Sequence, residues 1–138
     1  MKALSVNRVL AIKVPRGSDL GKYITKLAIE QGIKTGIVTV IGSLVDPVIG
    51  YYDKEQDKYL EIELKGVYEL VSGLGNISLK NGSPMLHLHV ALGDRGGRLY
   101  GGHFIRGAVF VAEAFIMELK GEPISRKQVS NTLWLWDL

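Results

Sequence analysis

The sequence contains no cysteine. Disulfides and thiolate chemistry are therefore excluded, and any metal would have to be held by histidine, aspartate or glutamate. Histidine is itself scarce, with three in 138 residues. No apolar run reaches the ~18 residues that a membrane-spanning helix needs, and no signal peptide opens the chain, so a cytoplasmic protein with no membrane contact is expected. A single-sign charge stripe is also missing. The net charge is only +3, and Lys2, Arg8, Lys13, Arg16, Lys54, Lys58, Lys65, Lys80 and the pair Arg126-Lys127 are scattered among acidic residues. Such a surface is compatible with nucleic acid but does not argue for it. Low-complexity segments, repeats and linkers are absent too. With 46% hydrophobic and 22% charged residues, the composition predicts one globular domain over residues 1–138.

What the chain does have is concentrated between Pro84 and Glu113, a stretch that holds all three histidines. From Met85 to Leu92 the pattern alternates, with Leu86, Leu88, Val90 and Leu92 on one face and His87 and His89 on the other. A period of two marks a half-buried strand, and the two imidazoles lie roughly 6.7 Å apart along it. The glycine-rich DRGGR that follows reads as a hairpin loop, with His103 on the returning strand. Parity decides the loop length, because directly opposed residues share a face. A three-residue loop, Arg95-Gly96-Gly97, pairs Asp94 with Arg98, Leu92 with Tyr100, Val90 with Gly102, His89 with His103 and Leu88 with Phe104. A two-residue loop would send His103 to the opposite face. Three-residue hairpins also favour glycine at their left-handed position. The odd loop brings His87, His89 and His103 together.

Around this hairpin, Arg8–Val14 reads as a strand, and Ser18 or Asp19 caps an amphipathic helix that runs to about Gln31 and is stopped by Gly32. Thr35–Tyr52 is read as two strands with a bend or bulge between them, and Tyr59–Leu64 as a short strand. Gly66–Ser72 and Asn76–Lys80 are read as a pair around Gly73 and Gly75. Ala108–Leu119, apolar on both faces, reads as a doubly covered central strand, and Thr132–Trp136 as a closing strand. The fold class expected is α+β: a twisted, largely antiparallel sheet with one main amphipathic helix packed on it.

Three neutral imidazoles with an open fourth position suit Zn²⁺, and chemically Ni²⁺ or Co²⁺ as well. Against this stands the ordinary reading of polar side chains on a solvent face. Glu113 interrupts an apolar run, where it either pairs with Arg106 or Arg98 or accepts a hydrogen bond from a metal-bound histidine. Glu69 poses the same choice on weaker grounds, and a salt bridge is preferred for it. Gly101-Gly102 suggests close backbone approach or a bulge beside the histidines, and Trp134 and Trp136 suggest core or subunit interface. No phosphate loop, nucleophile elbow or cofactor fingerprint is present.

The segments GIVTVIGSL, GVYELVSGLGNISL and PMLHLHVALGD-x-GG-x-LYGGH, followed by Ala112-Glu113, resemble the PPC (plants and prokaryotes conserved) domain over roughly residues 5 to 120. The resemblance is to the prokaryotic type, related to the C-terminal domain of plant AT-hook nuclear proteins. It implies a compact α+β domain, a homotrimer, and zinc held by His87, His89 and His103. DNA association is implied mainly through the plant members, whose AT-hook enters the AT-rich minor groove. This sequence has no RGRP-type core, so weak and nonspecific DNA binding is expected. The function expected is a non-catalytic regulatory or DNA-associated binding module. The alternatives are a zinc-dependent metalloenzyme of unknown substrate, with Glu113 or Glu69 as base at the open metal position, and a purely structural interaction domain.

Overall fold

The computed structural model describes residues 1–138. Eight strands and one helix follow one another as β1 (Ser5–Val14), α1 (Leu20–Glu30), β2 (Gly36–Asp53), β3 (Lys58–Glu63), β4 (Val67–Lys80), β5 (Ser83–Gly93), β6 (Leu99–Lys120), β7 (Ser125–Gln128) and β8 (Trp134–Trp136). Strands dominate and only 11 residues are helical, so the fold is mainly β with a single helix, the β-rich limit of the expected α+β class. All pairings are antiparallel except the short contact between β4 and β7.

Strand order is β3-β2-β6-β5-β4-β7-β8, with β1 added to β6. Because β2 also pairs with β4, strands β2, β6, β5 and β4 close into a ring. Closure leaves these strands without free edges. The helix packs against β5 and β6. Its capping residue is Asp19, whose Oδ1 accepts from the Lys22 backbone N–H at 2.9 Å, while Oδ2 accepts from Gly107 N–H at 3.1 Å and so fixes the helix start to β6. Leu20, Ile24 and Ala28 are fully buried at helical spacing, and Gly32 ends the element at φ 69°. These three residues join Val38, Val40, Leu44, Leu88, Val90, Leu92, Ala112, Ala114 and Ile116 in one core cluster of 20 residues.

Three segments depart from the sequence reading. Residues 36–53 form one continuous strand, because bulges near Gly42 and Val45–Val48 absorb the irregularity without ending the pairing. Residues 67–80 are likewise one strand, and Gly73 and Gly75 are not a turn. A Cβ at Gly75 would overlap the His87 carbonyl, so glycine there lets β5 come close. The far end of β6 is covered on one face only: Ala112, Ala114 and Ile116 are buried while Val111, Glu113 and Phe115 are exposed. Strand β7, not anticipated, adds to the closing β8.

Candidate metal centre

The hairpin between β5 and β6 carries the site. Its loop has three residues: Asp94 N–H donates to the Arg98 carbonyl at 2.9 Å, and Gly97 takes the left-handed position at φ 80°. Asp94 Oδ1 accepts from the backbone N–H groups of Gly96 and Arg98 at 2.8 and 2.9 Å, which holds the turn. The register is the one required by parity, with His89 opposite His103, Val90 opposite Gly102 and Leu92 opposite Tyr100. Leu88, Val90 and Leu92 enter the core, so the histidines are left on the outer face. A Cβ at Gly102 would lie 2.8 Å from the Gly50 carbonyl oxygen, so this glycine permits the close approach of β2 beside His103.

The three imidazole centroids lie 5.0 to 5.5 Å apart. One potential ligand nitrogen from each ring falls within 4.8 Å of the other two. Three imidazoles grouped this closely are a donor set that would suit a divalent metal such as zinc. Burial, then the positive charge of His103, Arg126 and His89, pushes the His87 pKa down to about 4. Burial, followed by His89 and Arg126, lowers that of His103 to about 4. Both rings are therefore neutral at neutral pH, the state in which a ring nitrogen can ligate. His103 Nδ1 is buried with no hydrogen-bond partner. A buried, unpartnered ring nitrogen within a group of three imidazoles fits a metal site better than it fits a hydrogen-bonded polar cluster.

Other side chains complete the surroundings, and sequence reasoning did not single them out for this role. The Tyr59 ring stacks on His103 at 4.7 Å and 28°. Arg126 reaches His87 Nδ1 with Nη2 at 3.4 Å. Both line a cleft of ≈ 480 Å³, together with Glu61, Lys80, His87, His103, Trp134 and others. Cross-strand register is the signal that would have found Glu61, which lies opposite Gly50, itself opposite His103. Glu113 is not brought to the group. It is exposed opposite Lys13 and Ile41 and does not line the cleft. Arg106 pairs instead with Glu61 at 2.9 Å and Glu63 at 3.6 Å. Glu69, opposite Gly93 near the hairpin end, is exposed and does not line the cleft either. The Arg126-Lys127 pair is not a surface patch, because Arg126 is only 8% exposed and Lys127 is bound to Asp137 at 2.7 Å.

Comparison with known proteins agrees with this architecture. The sequence profile of the Plants and Prokaryotes Conserved (PCC) domain matches residues 1–120. A plant- and prokaryote-conserved protein from Pyrococcus horikoshii superposes with a TM-score of 0.97 at 46% identity, covering 100% of this chain and 96% of that one. A metal-containing protein from Archaeoglobus fulgidus gives 0.91 at 36% identity, covering 99% of each chain. A protein from Bacteroides thetaiotaomicron, provisionally named as DNA-binding, shares the fold with a TM-score of 0.86 at 22% identity, over 97% of this chain and 96% of that one. A bifunctional GlmU protein from Synechococcus is 28% identical over 111 residues, which make up 80% of this chain but only 17% of that protein. The profile match and the two archaeal structures place the chain, as its H-x-H strand and glycine hairpin suggested, in the plants and prokaryotes conserved family, of prokaryotic type.

Proposed function

We propose that this chain is a non-catalytic binding or regulatory domain built on a zinc site of His87, His89 and His103, working as a homotrimer. The observation that carries the metal reading is the convergence of the three imidazoles, one ring nitrogen of each within 4.8 Å of the other two, together with a buried His103 Nδ1 that has no hydrogen-bond partner. The metal-containing Archaeoglobus relative supports a metal without specifying zinc. Elemental analysis of protein purified without chelator or nickel resin tests it: about one zinc per chain is expected, and His89→Ala should lose it. Equal metal content in the two would refute the site.

The homotrimer is supported by exposed apolar residues clustered on the outer face of the sheet, interrupted by Glu113 and Lys13. Val9, Ile37, Ile41, Leu74, Val111 and Phe115 are all exposed there. Cross-strand rows run Leu74–Thr39–Phe115–Ala11 and Asn76–Ile37–Met117–Val9, and His89 and His87 extend the same rows. Exposed apolar patches of this kind commonly mark protein–protein contact sites. DNA association, supported by the name of a fold neighbour, is proposed to be weak and without sequence preference. The net charge is +3, and the one adjacent basic pair near the end of the chain is buried or ion-paired. A second reading, a zinc-dependent enzyme, has one observation in its favour: Glu61 lines the same cleft as His87 and His103.

A further inference from the structure

Arg126 is a buried cation with no carboxylate partner. Its Nε donates to Ser78 Oγ at 2.7 Å, Nη1 to the Trp134 carbonyl at 3.0 Å and Nη2 to Asn76 Oδ1 at 2.8 Å. Every one of these acceptors is neutral. A guanidinium has five N–H donors; here one on Nη1 is unused, and one on Nη2 reaches only His87 Nδ1, at 3.4 Å. Buried charges are normally paired, since a bare one is costly to desolvate. Here the unpaired cation sits against a proposed metal ligand.

The electrostatics of the loaded site sharpen this problem. Three neutral imidazoles contribute no negative charge, so a divalent metal beside Arg126 leaves a local charge of +3. Lys80 adds a further cation in the same cleft, its Nζ 4.7 Å from the Trp134 ring centroid. The one carboxylate in the cleft, Glu61, is committed to Arg106 at 2.9 Å. Leu86, Met85, Phe104, Leu133 and Trp134 supply apolar walls. The ≈ 480 Å³ volume falls within the range of small-molecule sites.

Building on the metal site proposed above, we infer that this cleft binds a small molecule through its carboxylate or phosphate group, which bridges the metal's open position and the Arg126 guanidinium. A planar guanidinium with spare donors is suited to an oxyanion. Because Arg126 is only 8% exposed, the anion must enter the cleft, which favours a small molecule over the backbone of a DNA duplex.

The test uses the full chain loaded with Co²⁺ in a sulfonate buffer, with acetate, inorganic phosphate and a short DNA duplex as probes. Acetate or phosphate should shift the visible cobalt bands. By reciprocity the anion should also tighten Co²⁺ binding at least tenfold, a readout on the wild-type protein that needs no variant. Arg126→Met should keep the metal and weaken the anion response at least tenfold, while Arg126→Lys should restore part of it. Bound cobalt with no response to either anion overturns the inference and leaves the metal site standing. Failure to bind cobalt at all overturns both. A band shift with duplex but with neither small anion overturns the assignment to a small molecule.

Discussion

At the scale of single residues, the site is built from side chains whose ordinary partners are missing or neutral. His103 Nδ1 has none, and Arg126 has only uncharged ones. Asp57 is the opposite case. Its carboxylate accepts from Tyr52 Oη, Ser130 Oγ, Asn131 N–H and Thr132 Oγ1, and so ties the β2–β3 turn to the segment that walls the cleft at Thr132–Leu135. These hydrogen bonds, Ser130 and Tyr52 first, hold its pKa at about 2, below the ordinary 3.8. A carboxyl depressed in the folded state stabilises it fully above its unfolded value, and the contribution is lost as pH falls through the folded one. Docking of residues 125–136 should therefore be pH-independent near neutrality and loosen between about pH 4 and pH 2. Hydrogen exchange followed against pH checks this, and Asp57→Ala should show the loosened exchange already at neutral pH. Unchanged protection in the variant would mean that the tether contributes nothing.

At the scale of elements, the β5–β6 hairpin is the part most legible in the sequence, because strict alternation and a glycine loop leave one register that satisfies both faces. Deleting Gly96 should leave a two-residue loop, turn His103 toward the core and abolish metal binding; retention of the metal would contradict the parity argument. The helix was equally legible, from Asp19 and Gly32 at its ends. The long strands were not. Glycine and Asp-Pro ordinarily break strands, but in β2 and β4 they are absorbed by bulges and by close strand packing that only the tertiary structure reveals. Gly75→Ala tests this: the new methyl meets the His87 carbonyl, so destabilisation of about 1–3 kcal/mol is expected by denaturant unfolding. Gly96→Ala in the exposed loop should change little. Tyr59, Glu61 and Arg126 were invisible as site residues because strands β2, β3 and β7 bring them in from far away in sequence. Glu113 was drawn toward the site by its apolar neighbours alone, but its cross-strand partners are Lys13 and Ile41 and it does not line the cleft.

At the scale of the whole molecule, the outer face of β6, which the sequence pattern predicts to be covered, is open in one chain and carries exposed Val111 and Phe115, which a proposed trimer would cover. Phe115→Lys, at the centre of that face, should shift the protein toward monomers in light scattering without unfolding it. Titration of labelled AT-rich and GC-rich duplexes should show weak binding to both, falling steeply with salt; tight binding near physiological salt with an AT preference would contradict the proposed role. The central claim, a three-histidine metal centre in a trimer of this fold, is tested most directly by native mass spectrometry. A species of three 15.2 kDa chains carrying three metal ions is expected, with the metals absent in His103→Ala. A wild-type species of one chain, or equal metal content in the variant, would contradict the account.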